Sequence, residues 1–329
     1  MNKPSLCIVS PALADANNGN WQTAQRWGHM LSGQFQTRIS AAWPDGQDAD
    51  VMLALHARRS APSIAAWAQA HPTRHLVLAL TGTDLYHDIH HDADAQRSLQ
   101  LAHALIVLQD QGIAELPQAL QSKAHVIYQS STALPSVSKT NAHLRVLMVG
   151  HLRDEKCPQL LWQTTQAVSA DVGIYIDHIG KALDPALAQQ AQHVASQYPN
   201  YRWLGEQPHA HTRRSIQRAH VLVHPSRLEG GAHVIIEAAL SGTPVLASRV
   251  SGNVGMLGAD YAGYFEVGNA TQLADLLRQC HRTQTQPDGL LAQLTQACTS
   301  RAPLFQPERE QASLCALLNS LTHAHTQQL

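Results

Sequence analysis

Three things that many functions require are scarce or missing in this chain. No run of apolar residues approaches the roughly 18 needed to cross a bilayer, so no membrane span is expected. The five cysteines (Cys7, Cys157, Cys280, Cys298 and Cys315) lie far apart, are odd in number and form no CxxC pair. That excludes a disulfide framework and fits a reducing cytoplasm. Charge of one sign is missing too: 23 Lys and Arg face 24 Asp and Glu, for a net charge of −1. Nothing then drives general binding to nucleic acid or acidic lipid. No carboxylate pair reads as a metal-holding DxD motif, and no metal is expected. The start, MNKPSLCIVSPALADA, imitates a signal peptide only loosely. Its apolar core is Leu6–Val9 before Ser10-Pro11, too short for export and better read as a first buried strand.

The chain does have length and core-forming residues. Its 329 residues, 44% of them hydrophobic, suffice for two α/β domains. Histidine is unusually common, at 21. The histidines are scattered except in His87-Asp88-Ile89-His90-His91, which reads as a solvated loop in preference to a metal site.

Strand-length apolar runs recur in the first half, at Leu6–Val9, Val51–Leu55, Leu76–Leu80, Ala104–Leu108 and Val126–Tyr128, with Thr37–Trp43 less clearly marked. Helical patterns such as Trp21–Leu31 and Ser63–Ala70 lie between them. Alternation of this kind predicts a parallel, doubly wound sheet, whose ligands bind at the strands' carboxyl ends. The polar loops there are the first candidates. Asn18, Gly19 and Asn20 suit a turn and a helix cap, while Thr23 and Arg26 share one face of the helix that follows. Arg26 reads as an anion clamp. His56, Arg58, Arg59 and Ser60 open the next helix, where two guanidiniums and a helix N-terminus favour a small phosphate-like anion. Thr81, Gly82 and Thr83 offer hydroxyls and a flexible backbone. Asp84 is a base or, more simply, a cap for the next helix. Pro135–Asn141 reads as a linker, giving an acceptor-binding domain over 1–140.

A second set of strands begins at Leu144–Val149 and continues with Gly173–Ile179, Arg202–Gly205 and His220–His224. The first of these runs into Gly150, His151, Arg153 and Lys156, two cations suited to a nucleotide diphosphate. His178, near the end of another, is a further candidate donor contact. The chain then reaches its most informative stretch, HPSRLEGGAHVIIEAALSGTPVLAS over 224–248. A strand ends, a loop with Arg227, Glu229, Gly230 and Gly231 follows, and a helix starts near Ala232 and His233. Glu237 lies inside that helix, eight positions after Glu229. Strand, glycine loop and helix N-terminus together suit a phosphate. Taken alone, the paired carboxylates also allow the acid and nucleophile of a glycosidase.

The block resembles the donor-site motif of the retaining glycosyltransferases with the GT-B fold, E-G-(F)-G followed by E-A-x-x-x-G-x-P-V. Gly231-Ala232 replaces the usual aromatic-glycine pair. Gly150–Pro158 resembles the family's V-G-R-L-x-x-E-K-G block, with His151 at the usual arginine and Cys157 at the usual glycine. The resemblance implies two Rossmann-like α/β domains facing across a cleft. The second, over 141–307, would bind a nucleotide-sugar, and a last helix within 308–329 would cross back to the first. It further implies that Arg153, Lys156 and the amides of Gly230–His233 hold the diphosphate. Glu237 would bind ribose, Glu229 the sugar, and backbone near Leu204–Gln207 the uracil.

Three first-half blocks, NNGNWQTAQRW, ALHARRSAP and LTGTDLYHDI, resemble one branch of that family, the selenosugar synthases of the selenoneine pathway. That branch implies UDP-N-acetylglucosamine or UDP-glucose as donor and selenophosphate as acceptor, with no cofactor. It also implies functional links to a selenophosphate synthetase and a downstream selenoneine synthase. His56 and Asp84 would assist removal of the phosphate. The residues themselves specify a small anion and leave selenium, sulfur and oxygen open. Transfer to an ordinary hydroxyl, and a non-catalytic nucleotide-sugar-binding module, are the competing readings.

Overall fold

The computed structural model describes residues 3–12 and 19–326. It divides into two compact units, Met1–Gln129 with Pro307–Leu329, and Ser130–Gln306.

The first unit holds β1 (Ser5–Val9), α1 (Gly19–Leu31), β2 (Gln36–Ser40), β3 (Val51–Leu55), α2 (Ala61–Ala70) and β4 (His75–Leu80). A π-helical turn (Asp84–Asp88), α3 (Ile89–His91), α4 (Ala93–Leu101), β5 (Ala104–Val107) and β6 (Ala124–Val126) complete it. The six strands are parallel in the order β2-β1-β3-β4-β5-β6. VMLAL of β3 and LVLAL within β4 show no polar alternation because both faces of the sheet are covered. Trp67, Leu78 and Leu105 pack on one face; Trp27, Phe35, Leu53 and Ile106 pack on the other. Strand order reverses direction between β1 and β3, so the loops after these strands flank the switch-point crevice where such sheets take ligands.

The second unit repeats the plan. It contains β7 (Leu144–Val149), α5 (Pro158–Ala167), β8 (Ile174–Ile179), α6 (Pro185–Gln197), β9 (Tyr201–Trp203), α7 (His209–Arg218) and β10 (Val221–His224). Then come α8 (His233–Ala239), β11 (Val245–Ser248), α9 (Ser251–Leu257), β12 (Tyr264–Phe265), α10 (Ala270–Arg282) and α11 (Leu290–Arg301). The parallel order is β12-β11-β10-β7-β8-β9. Its switch point lies between β7 and β10. The loops after them are Gly150–Cys157 and Pro225–Ala232, so two separate motifs meet at one crevice.

The last helix, α12 (Pro307–Thr326), belongs to the first unit. Its Leu314, Cys315, Leu317 and Leu318 enter the apolar cluster around Trp27. The first unit ends at Gln129, well before the expected linker at 135–141. Chain from Ser130 onward is tied into the second unit. His233 Nε2 donates to the Ser130 carbonyl at 3.1 Å, Arg213 to Ser131 Oγ at 2.8 Å, and Leu134 N to the Leu240 carbonyl at 3.1 Å. The run 87–91 is helical, not a solvated loop, with Asp88 and Ile89 buried. Among the described residues no helix is long and apolar enough to cross a membrane.

Candidate functional site

The site in the second unit is built around Glu229. Its Oε1 pairs with Lys156 Nζ and lies 3.1 Å from His224 Nε2. Lys156 comes from the loop after β7 and His224 from the end of β10, the two strands that flank the switch point. Burial alone would push the Glu229 carboxyl up, but Lys156 and His224 outweigh it and hold the group well below the usual carboxylate range. Burial pushes His224 down, against the opposing pull of Glu229. Both contacts fall on Oε1. The loop's path depends on a distant glycine: a Cβ on Gly252 would sit 1.8 Å from the Glu229 carbonyl oxygen. Any larger residue at the start of α9 would displace Glu229.

Glu237, 3% exposed, is the second carboxylate. Its Oε1 lies 2.7 Å from His209 Nε2, 3.4 Å from His233 Nδ1 and 3.8 Å from Arg213 Nε. Burial raises the Glu237 carboxyl, but His209 and His233 overcome that and bring it down to about 2. His209 is itself raised by the hydrogen bond to Glu237.

The loop after β7 is held from beneath. His178 Nε2 donates to the Gly150 carbonyl at 3.0 Å, and Nδ1 accepts from Tyr201 Oη at 3.1 Å. Burial pushes the His178 pKa down to about 4. Fully enclosed and bonded on both nitrogens, His178 supports the loop and has no free nitrogen for a ligand, which corrects its expected place among the donor contacts. A Cβ on Gly180 would lie 1.8 Å from the Gly150 oxygen, so the close approach belongs to Gly180. At Gly150 the same atom would meet only the Lys156 side chain at 3.6 Å. Cys157 has φ +49, a left-handed conformation that favours glycine. This is the backbone reason for glycine at the matching position of the motif that the loop resembles. Arg153 is half-exposed, with Glu155 3.9 Å away. Arg227 turns away to Cys157 Sγ at 3.1 Å and Asp154 at 2.7 Å. The exposed His151 accepts a hydrogen bond from the Lys181 amide through Nδ1. Gly230, Gly231 and Ala232 lead into α8, whose start carries no side-chain cap. Leu204 N is bonded to the His178 carbonyl and the Leu204 carbonyl accepts from Gln207.

In the first unit the expected ligands divide into two groups. Four are used by the scaffold. Arg26 forks onto Glu310 of α12, with Nε 3.1 Å from Oε2 and an Nη 3.1 Å from Oε1, while Trp27 Nε1 donates to Oε1 at 2.6 Å. The expected anion clamp is therefore an internal ion pair. Thr23 accepts from Gln129 at 2.7 Å and donates to the Gly19 carbonyl. Ser60 donates to the Leu55 carbonyl at 2.6 Å. Asp84, fully buried, accepts from the amides of Thr81, Gly82 and Ala57 at 3.0, 2.8 and 3.0 Å. Both its oxygens are committed, so it pins the loops after β3 and β4 together instead of serving as a base. Asn18 lies outside the described residues; Gly19 and Asn20 start α1.

The second group stays together around His56, which is 3% exposed and has φ +74. Its Nε2 lies 3.3 Å from Thr83 Oγ1 and 4.0 Å from Asp88 Oδ2, and its Nδ1 accepts from the Arg59 amide at 3.4 Å. Arg58 Nε is 3.0 Å from Asp88, and Arg59 is exposed. Burial pushes His56 down, against the opposing pull of Asp84. Sequence reasoning missed Asp88, His224, His209 and Glu310 as partners. Glu310 and His209 come from elements distant in sequence from their partners, Asp88 from a run whose meaning composition does not give, and His224 ends the strand just before Glu229.

The model of the family "Glycosyl transferases group 1" matches residues 129–294. This chain belongs to that family, and its two parallel sheets have the GT-B fold of its structural neighbours. Sucrose-phosphate synthase from Thermosynechococcus elongatus has 17% identity and TM-score 0.76, covering 98% of this chain and 100% of that one. Anabaena HepE in complex with UDP-glucose has 16% identity and TM-score 0.72, covering 96% and 100%. A point mutant of S. aureus TarM, in complex with fondaparinux, α-GlcNAc-glycerol and UDP, has 15% identity and TM-score 0.65, with 82% of this chain aligned. The chain spans 55% of the length of that TarM chain. A search of curated proteins gives no significant match.

Proposed function

We propose that the protein joins the sugar of UDP-N-acetylglucosamine or UDP-glucose to selenium delivered as selenophosphate, giving a 1-seleno-sugar, UDP and phosphate. The convergence of Lys156 and His224 on Glu229 at the β7/β10 switch point carries this reading. It creates a fixed anion, steered through one oxygen, beside two strand-end loops that suit a diphosphate. Glu229 then orients the sugar or steadies positive charge at its anomeric carbon, and Glu237 takes the ribose. As the bond from C1 to the UDP oxygen breaks, negative charge grows on the phosphates. Lys156, Arg153 and the amides of Gly230–His233 stabilise it, so the reading assigns no step to a metal.

The first unit takes the acceptor. His56, Arg58, Arg59 and Thr83 form a small cationic and polar cluster at the ends of β3 and β4, and the three sequence blocks that contain or adjoin them support selenophosphate in particular. Selenium forms the bond to C1; water then takes the phosphoryl group from selenium, leaving a selenol and inorganic phosphate. The five cysteines are free, which supports a reducing, cytoplasmic setting between a selenophosphate synthetase and a selenoneine synthase.

The test is incubation with each UDP-sugar and selenophosphate, following UDP by chromatography and the seleno-sugar by mass spectrometry. UDP release that depends on selenophosphate is expected. Release with a glycerol or lipid-linked hydroxyl acceptor, and none with selenophosphate, assigns the enzyme to ordinary O-glycosyl transfer.

A further inference from the structure

The run His87–His91 is given no chemical role in the function proposed above, yet it supplies a loosely satisfied carboxylate beside His56. Asp84 and Asp88 each approach one ring nitrogen, at 3.9 Å from Nδ1 and 4.0 Å from Nε2. The two carboxylates differ in what they can still accept. Asp84 is filled by three backbone amides. Asp88, 4% exposed, has one oxygen near His87 Nδ1 at 3.2 Å. Its other oxygen, Oδ2, is buried without a hydrogen-bond donor, even though Arg58 Nε stands 3.0 Å away. A buried carboxylate oxygen left open is costly, and such groups mark places where a partner arrives. The π-helical turn 84–88, a feature frequent at functional sites, is what puts both carboxylates within reach of one imidazole.

The candidate partner is already adjacent. His56 Nδ1 accepts from the Arg59 amide, so Nε2 carries the proton, and that proton faces Thr83 and Asp88. Asp88 balances Arg58 as long as no other anion does. Resting on the acceptor assignment above, we propose that Asp88 is the positioning residue of this site. When a phosphate-like anion engages Arg58 and Arg59, Asp88 exchanges Arg58 for the His56 Nε2 proton and fixes that imidazole beside the anion. No bond to carbon, phosphorus or selenium changes in this exchange; one ion pair is replaced by one charge-assisted hydrogen bond. The charged groups facing His56 are Asp84, Asp88, Arg58 and Arg59. Of these, Asp84 is immobilised, and the other three take part.

Inorganic phosphate and histidine-labelled protein test this by NMR, with the His56 signal identified by its loss in His56→Asn. In the unsubstituted protein, phosphate should raise the His56 pKa by about one pH unit. Asp88→Asn should abolish that response and Asp88→Glu should keep part of it. Arg58→Ala, at a half-exposed position, should give the raised pKa without phosphate. A phosphate response unchanged in Asp88→Asn, absent in the unsubstituted protein, or unchanged in Arg58→Ala overturns the proposal. Should Asp88→Asn fail to fold, the Arg58→Ala arm decides alone. The readout needs no turnover. If selenophosphate proves not to be a substrate, the acceptor assignment falls, while the phosphate response still judges Asp88.

Discussion

Charged residues at strand ends have different fates in the two units. In the second, the expected Lys156 and Glu229 meet each other with His224 beside them, and the expected Glu237 meets His209 and His233. In the first, Arg26, Thr23, Ser60 and Asp84 are bound by their own scaffold, and the His56 cluster stays open. A charged residue at a strand's carboxyl end is available to a ligand only if the fold supplies it no permanent partner. In the second unit Lys156, His224 and Glu229 lie on, or at the loops following, the two strands that flank the switch point, where such sheets take ligands. In the first, the partner of Arg26 is a fully buried glutamate on the last helix, and nothing the size of a phosphate competes with a fork already closed.

The contrast is broken most directly at Glu229. Glu229→Gln leaves Lys156 unpaired and removes the fixed anion, and Lys156→Ala leaves Glu229 buried without its main counter-charge. Each should lower kcat for UDP release by about 10²–10³-fold, the cost of about 3 kcal/mol of transition-state stabilisation. Steady-state kinetics with saturating donor check this. Turnover within threefold of the unsubstituted protein in both variants would show that the second-unit site lies elsewhere.

Arg26 provides the opposite case. Arg26→Ala should act on stability and leave acceptor binding alone. It strips the counter-charge from Glu310, whose side chain is wholly buried, at a cost of about 3 kcal/mol. Thermal or urea unfolding should register that loss, and Glu310→Gln in the same background should recover much of it. KM for the acceptor should stay within about twofold. A large rise in acceptor KM with unchanged stability would return Arg26 to the binding site and erase the contrast drawn above.

These outcomes turn on information that the chain carries unevenly. The parallel sheets were legible because doubly covered strands are continuous apolar runs, as in VMLAL and LVLAL. QTRIS of β2 is a half-exposed edge strand with no such run, and β12 is only two residues long. The places of Lys156 and Glu229 were legible because each lies in a block whose spacing fixes a loop at a strand end; their pairing was not. The fate of Arg26 was not, because its partner is 284 residues away and nothing local marks it. Gly180 and Gly252 escaped for a similar reason: each is required by a carbonyl on another loop. Asp88 escaped because a π-helical turn aims its side chain, and residue type does not reveal such a turn.

The smallest effect separates the two units most finely. Among the described residues, two that are not glycine have left-handed backbone, one in each unit: His56 at φ +74 and Cys157 at φ +49. Holding an L-residue there costs about 1–2 kcal/mol, so glycine should relieve strain at both. At Cys157 the side chain does little besides receive Arg227 at 3.1 Å. The relief and the lost contact nearly offset, and Cys157→Gly should change stability by about 1 kcal/mol or less and turnover by less than about threefold. At His56 the ring is the centre of the cluster formed by Thr83, Asp88 and the Arg59 amide. His56→Gly should trade relieved strain against the loss of a buried ring, while acceptor-dependent kcat/KM falls by about tenfold or more. Strain kept where glycine would serve is a sign that the side chain is needed. On that reasoning His56→Gly should cost activity and Cys157→Gly should not. Equal kinetic effects of the two glycine substitutions would remove the distinction.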